Sequence, residues 1–327
     1  MASEFELIAR HFTRPARRAV LGVGDDCALL NVSPGHELAI STDMLVAGTH
    51  FFPDTDPQRL GYKALAVNIS DIAAMGAKPT SALLSLALPA ADDAWVAAFA
   101  QGFYALADAH GVELIGGDTT RVPQGGALAI NVTILGEAPA GQAIRRSGAK
   151  VGDEVWVSGS IGDAALGLNV LKGEVQLDAP ARDYCVGRLE QPTPRVALGL
   201  ALRGVASAML DLSDGLAGDL AHIAKASGVA AVINVDALPL CAAVRAQTRE
   251  LALRCALAGG DDYELCFTAP AAARAQVEAA GRAAGIAVTR VGRVQAADAK
   301  LPPVSYVDAA GAPLDLRLSG YDHFGAR

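Results

Sequence analysis

Five times along this chain a short apolar run stops at Gly, Ser or Thr and then meets an aspartate. The stretches are VLGVGDDCALL (Val20 to Leu30), AISTDML (Ala39 to Leu45), ELIGGDTTR (Glu113 to Arg121), MLDLSDGL (Met209 to Leu216) and LAGGDDYEL (Leu257 to Leu265). An apolar run bounded by small residues reads as a buried strand, so this grammar cuts the sequence into many short strands with charged ends.

Between them lie helical patterns. Ser3 and Glu6 form a capping box that predicts a helix to about Thr13. Asp56 and Pro57 open a second helix, with Leu60, Ala64, Val67 and Met75 at helical spacing and Gly76 as its stop. Asp92 to His110 reads as a third helix, closed by Gly111. Strands are expected near Val20, at Leu38 to Ile40, Ser81 to Leu88, into GGDTT, and at Leu128 to Leu135.

The glycine-rich, polar connection EAPAGQAIRRSGAKVGD (Glu137 to Asp153) suggests a domain boundary near residue 150, giving domains 1–150 and 151–327. Beyond it, strands are expected at Glu154 to Val157, Ala208 to Leu212, Ala231 to Val235, Leu265 to Thr268 and Ala287 to Val291. Helices are expected at Asp163 to Leu171, Arg195 to Leu202, Leu216 to Ala226 and Ala271 to Ala284. The irregular alternation predicts α+β domains rather than one doubly wound sheet. With 327 residues, 52% hydrophobic and 19% charged, the chain has apolar content for two ordinary cores, built mostly from Ala, Leu and Val because aromatics are only 5%.

The aspartates carry the chemistry. Asp25 and Asp26, Asp43, Asp118, Asp211 and Asp214, and Asp261 and Asp262 follow strand-like runs, while Asp71 sits inside the second helix one turn after Val67 and Asn68. Any one Gly-Asp after a strand reads most simply as a turn or a helix cap, and Asp71 alone fits the solvent edge of its stripe. Six such places together point to a shared site for a hard cation. Magnesium takes oxygen ligands from a few carboxylates, waters and phosphate, and Ser41, Thr42 and Thr119 add hydroxyls. Thiolate and imidazole are missing from the set, which argues against zinc.

No GxxxxGK[ST], no GxGxxG after a strand, no GxSxG and no HExxH occurs. Phosphate would then be handled through metal. That also resolves the net charge of −8, which repels a polyanion unless cations reverse the local sign and which speaks against nucleic acid as a partner. Five scattered cysteines without a CxxC pair, a start (MASEFELIARHF) unlike a signal peptide, and no apolar run of spanning length predict a cytoplasmic protein without membrane contact.

In this order, GVGDDCALL, ISTDMLVAGTHF, VNISDIAAMGAKP, IGGDTTR, RRSGAKVGD, DLSDGL and GGDDYEL resemble the thiamine-monophosphate kinase family, from about Phe5 to Phe324. That family belongs to the aminoimidazole ribonucleotide synthetase-like superfamily. The resemblance implies a two-domain fold whose N-terminal ATP- and magnesium-binding sheet pairs with its copy across a homodimer. A C-terminal α/β sandwich would complete the active site.

It further implies Mg-dependent transfer of the ATP γ-phosphoryl group to thiamine monophosphate, giving thiamine diphosphate and ADP. Asp26, Ser41, Thr42, Asp43, Asp71, Asp118, Asp211 and Asp214 would hold several magnesium ions. Gly117, Asp118, Arg146 and Ser213 would bind ATP, and His50, Glu264 and Tyr321 the thiamine end. Asp71, Asp118, Arg146 and Asp211 would be catalytic. Arg145 competes with Arg146 as the phosphate ligand; the latter abuts SGA.

Structural readings stand beside these. His50 between Thr49 and Phe51 suits a packing role and Glu264 an outward strand position; Tyr104 reads first as a core aromatic, with packing near the nucleotide as its other reading. A phosphate acceptor is already ionised near neutral pH, so in-line transfer needs no strong base and no phosphoenzyme.

Among sister families, selenophosphate synthetase requires a reactive Cys ahead of the acidic motif, whereas Cys27 follows GDD. The carbamoyl-carrying maturation factor ends in Cys, whereas this chain ends GAR. Aminoimidazole ribonucleotide synthetase lacks the pairing of AGTHF with GGDDYEL. A non-catalytic magnesium- or nucleotide-binding regulator is the alternative from another class.

Overall fold

The computed structural model describes residues 4–316 and 318. The chain forms two compact units, one of residues 1–72 and 77–141, the other of 73–76 and 142–327.

The first unit contains helices α1 (Glu4–Leu7), α2 (Pro57–Ala74) and α3 (Asp93–His110), and strands β1 (His36–Val46), β2 (Lys78–Leu88), β3 (Glu113–Arg121) and β4 (Ala129–Pro139). Residues Ala73–Gly76, at the end of α2, group with the second unit. The sheet order is β1-β4-β2-β3. β4 pairs antiparallel with β1 and β2, and β3 joins β2 in parallel, which a crossover through α3 allows. The sequence signals at the ends of α2 and α3 are realised, while Ser3 of the expected capping box lies outside the described residues. The Asp56 carboxylate accepts the Arg59 N–H, Asp92 accepts from Ala94 and Trp95, and Gly111 closes α3 in the left-handed conformation.

Three local features differ from expectation. The first helix passes at Ile8–Phe12 into a π-helical turn. The expected strand near Val20 is only an isolated bridge between Leu21 and Leu29; Val20 and Leu29 are exposed, so no apolar face holds a ladder there. β3 does not stop at GGD but continues through Asp118 to Arg121.

The second unit carries a seven-stranded sheet of order β11-β10-β7-β9-β5-β8-β6. Its strands are β5 (Asp153–Ser158), β6 (Ala208–Asp211), β7 (Val229–Asn234), β8 (Leu265–Pro270), β9 (Val288–Ala296), β10 (Val304–Val307) and β11 (Pro313–Leu314). Its helices are α4 (Asp163–Leu171), α5 (Ala179–Glu190), α6 (Val196–Ala201), α7 (Leu216–Ser227), α8 (Ala242–Arg245), α9 (Arg249–Ala258) and α10 (Arg274–Ala284).

Alternation along the strands splits the core in two. Val155, Val157, Leu210 and Cys266 pack with Leu216, Leu220 and Ile223 of α7 and Leu257 of α9. Trp156, Met209 and Phe267 pack with Leu198 of α6 and Val277 of α10. The α/β sandwich is therefore present. Helices α5, α8 and α9 and strands β10 and β11 were not anticipated, although Asp178 before Ala179-Pro180 and Thr248 before Arg249 cap α5 and α9 and were legible. Among the described residues no helix is long and apolar enough to cross a membrane.

Candidate active site

In the first unit, the edge strand β1 presents Ser41 and Asp43 to α2. Ser41 Oγ donates to Asp71 Oδ2 at 2.5 Å, and the Asp43 N–H donates to Asn68 Oδ1 at 3.0 Å. Asn68 is buried and anchored to the Ala64 carbonyl, so Asn68 and Asp71, one turn apart, fix the helix against the strand. Asp71 is thus half-buried beside a hydroxyl rather than at a solvent edge.

Thr42 takes another direction. Its hydroxyl donates to the Val132 carbonyl at 3.1 Å and meets Thr133 Oγ1 at 3.0 Å, on β4. Asp118 lies farther off. The register row Met44–Asn131–Ser85–Asp118 runs the full width of the sheet, so Asp118 stands on the opposite edge from β1. Three strand spacings make that roughly 14 Å. Gly117 before it is dictated by packing: a Cβ there would fall 1.8 Å from the Leu84 carbonyl oxygen. Asp26 is exposed in a turn in which its own N–H donates to Asp25 Oδ1 at 2.9 Å.

His50 closes the turn after β1. Its Nδ1 accepts the Val46 N–H at 3.0 Å, which puts the proton of the neutral ring on Nε2. Tyr104 is a buried core residue whose hydroxyl donates to the Phe12 carbonyl at 2.9 Å, with the Arg14 guanidinium 3.4 Å above its ring. Burial pushes its pKa up to about 12.

In the second unit, β6 ends at Asp211, which is buried, and the turn Leu212–Gly215 brings in Ser213 and Asp214. The GGDDYE loop is laced to this turn by the backbone. Asp261 N–H donates to the Ser213 carbonyl at 2.9 Å, Tyr263 N–H to the Leu212 carbonyl at 2.8 Å, and Leu212 N–H to the Glu264 carbonyl at 2.8 Å. The lacing demands left-handed backbone at Asp261 (φ 69°) and Tyr263 (φ 50°), a strained conformation for residues with side chains. It also demands glycine at 260, where a Cβ would lie 2.3 Å from the Ser213 carbonyl oxygen.

The two acidic side chains of that loop that are buried serve the fold. Asp262 accepts the Gly162 N–H at 2.6 Å and the Ala164 N–H at 3.3 Å, capping α4; burial raises its pKa well above the usual carboxylate range. Glu264 is fully buried. Its carboxylate accepts from Arg188 Nη2 at 2.8 Å, from Arg195 through both its Nε (2.7 Å) and its Nη2, and from Ser158 Oγ at 2.5 Å. The outward position is therefore not adopted, and this negative charge is met by two guanidiniums.

Asp219, absent from the sequence-derived candidates, belongs with the turn. It is buried in the first turn of α7 and accepts the Asp214 N–H at 3.0 Å. Burial first of all, against the opposing pull of that N–H, lifts its pKa to about 7. The Arg146 charge opposes that rise. Arg145 and Arg146 are both exposed, on a segment tied to Met209 N–H and to Ser227 Oγ through their carbonyls. Tyr321 lies outside the described residues.

Among the described residues no three His, Cys, Asp or Glu side chains gather closely enough to hold a metal. The donors that do meet, carboxylates and hydroxyls, are the hard oxygens magnesium takes. An ion here would complete its shell with water and with a ligand's own oxygens.

Sequence profiles described as "AIR synthase related protein, N-terminal domain" and "AIR synthase related protein, C-terminal domain" match residues 24–138 and 150–301. The two units with their acidic turns are those of the AIR synthase related proteins. The chain is 48% identical to the thiamine-monophosphate kinase of Salmonella typhimurium, over 98% of each chain. The crystal structure of thiamine-monophosphate kinase from Stenotrophomonas maltophilia is similar with a TM-score of 0.82 and 43% identity, covering 94% of this chain and 95% of that one. AaThiL complexed with AMPPCP and TMP is similar with a TM-score of 0.75 and 30% identity, over 90% of this chain and 89% of that one. The chain belongs to the thiamine-monophosphate kinase family.

Proposed function

We propose that this protein transfers the γ-phosphoryl group of ATP to thiamine monophosphate. A terminal phosphate oxygen of thiamine monophosphate attacks the γ-phosphorus, the bond to the β,γ-bridging oxygen breaks, and thiamine diphosphate and ADP leave. End-to-end likeness to thiamine-monophosphate kinases carries this reading. The solved AMPPCP and TMP complex of a relative covering 90% of this chain supports the substrate pair.

The attacking oxygen is ionised, so the residues' task is to place two polyanions together rather than to remove a proton. Magnesium, when bound, supplies charge screening between them. Asp26, Ser41, Thr42, Asp43, Asp71, Asp118, Asp211 and Asp214 are the proposed ligands. Gly117, Asp118, Ser213 and Arg146 would take the nucleotide. His50, Glu264 and Tyr321 are assigned to the thiamine end. For Glu264, the observed pairing with Arg188 and Arg195 suits orienting those guanidiniums at least as well as direct contact.

A homodimer fits the first unit. β1 exposes Leu38, Ile40 and Met44 on its open face, 40%, 62% and 58% accessible, an apolar stripe that a second copy would cover. We assign nucleotide binding and pairing to the N-terminal domain, completion of the site to the C-terminal one, and the cytoplasm as the compartment, where the free cysteines stay reduced.

The test is direct. Purified protein with ATP, magnesium and thiamine monophosphate is expected to form thiamine diphosphate and ADP in equal amounts. Nucleotide binding without product, in folded protein, would favour a regulator. An acid-stable phosphoprotein trapped during turnover would exclude direct transfer.

A further inference from the structure

The turn Leu212–Gly215 is tied down through its backbone. The carbonyls of Leu212 and Ser213 accept from Tyr263 and Asp261, and the Leu212 N–H donates to the Glu264 carbonyl, all on one side. On the other side the Asp214 N–H goes to the Asp219 carboxylate at 3.0 Å. That is a side chain holding a backbone group, reaching back from the first turn of α7 over the glycine (φ 100°) that starts the helix.

The choice of residue is telling. Asp219 is only 4% exposed, among Leu216, Leu220 and Ile223, where an apolar side chain would pack without a desolvation penalty. A buried carboxylate at that place needs compensation, and it finds it in the turn that carries the proposed magnesium ligand Asp214 and the proposed nucleotide ligand Ser213, directly after Asp211 at the end of β6. A plain helix cap serves the helix's own amides. Asp219 instead serves the amide of Asp214, outside the helix.

We propose that Asp219 is the positioning residue of this turn, its carboxylate acting as the hydrogen-bond acceptor that fixes Asp214, and with it Ser213 and Asp211, in the arrangement used for metal and nucleotide. The proposal rests on the kinase reading for its catalytic consequence, and on geometry alone for its structural one.

Asp219→Asn retains an oxygen that can accept the Asp214 N–H; Asp219→Ala does not. Three quantities are read: hydrogen exchange of the amides of 213 and 214, Mn2+ binding by calorimetry in the presence of AMPPCP, and kcat with the KM for thiamine monophosphate. Losing one hydrogen bond predicts that the Ala variant exchanges these amides about tenfold faster. Its Mn2+ affinity and kcat should fall by about the same factor with KM for thiamine monophosphate unchanged, and the Asn variant should stay within about threefold of the parent in all three. Native protection of Asp214 in a folded Ala variant would overturn the proposal. So would an Asn variant as defective as Ala, since charge rather than acceptance would then matter. If the Ala variant does not fold, the Asn variant decides alone: a folded Asn protein with lost Asp214 protection or tenfold weaker Mn2+ binding sinks it. Failure of the parent protein to make thiamine diphosphate would overturn the kinase reading instead, and leaves the exchange result standing.

Discussion

The acidic groups of the first unit sit on the rims of regular elements, whereas those of the second are threaded through loops that the fold itself occupies. Ser41, Asp43 and Asp71 stand on a strand edge and a helix face, where Ser41 donates to Asp71 and the Asp43 backbone is tied to Asn68 and Asn131. Asp262 and Glu264 are buried, and their oxygens are taken by amides, guanidiniums and a hydroxyl. Asp219 is occupied by the backbone of its neighbour. The difference teaches that counting aspartates after strands overestimates the ion ligands. Carboxylates such as Asp262 and Asp219 hold the loops on which the proposed ligands ride.

The strongest way to break the comparison is Asp71→Asn. The amide keeps an acceptor for Ser41 Oγ but removes the charge, so turnover should fall by about a thousandfold or more while thermal unfolding stays near that of the parent. Near-normal turnover would place Asp71 among the structural carboxylates.

Glu264→Gln probes the opposite kind. Removing one partner of a buried ion pair leaves Arg188 and Arg195 undercompensated, and stability in denaturant titration should drop by about 3 kcal/mol. A loss of thiamine monophosphate affinity with stability intact would instead make Glu264 a direct contact.

Asp262→Asn is expected to act through pH. The folded pKa of Asp262 is raised by burial, so the folded state holds its proton where the unfolded state has released it. Stability therefore falls as pH rises from the unfolded value of an aspartate, near 4, through the raised folded value. The Asn variant lacks this slope. Its melting temperature should match the parent's in acid and exceed it increasingly toward alkaline pH; parallel melting curves would show that the carboxylate is charged and satisfied in its cap.

The smallest effect is expected at Tyr104→Phe, which removes the bond to the Phe12 carbonyl and should cost about 1 kcal/mol in unfolding. A change in ATP affinity beyond that would move Tyr104 from the core to the nucleotide.

Most of the architecture was legible. Helix α2 is announced by Asp56-Pro57 and its apolar spacing, α3 by Asp92 and Gly111, and the buried strands of the second sheet by unbroken apolar runs, because caps and periodicity are local properties. The π-helical turn at Ile8–Phe12 and the failed strand at Val20 were not, since both depend on what packs against them. Asp219 escaped for a related reason. In GLAGDL it looks like an ordinary first-turn acid, and nothing in the spacing says that its carboxylate reaches back to Asp214.

By itself the sequence determined the α+β class, the main strands and helices of the first unit and the family, because seven ordered motifs and the strand–helix grammar are written residue by residue. Only the folded chain decided which partners each carboxylate meets. Burial and hydrogen-bond partners are set by residues distant in sequence: Gly162 for Asp262, Arg188 and Arg195 for Glu264, Ser41 for Asp71. A charge's role follows from the dielectric and the donors around it, and those exist only once the strands have paired.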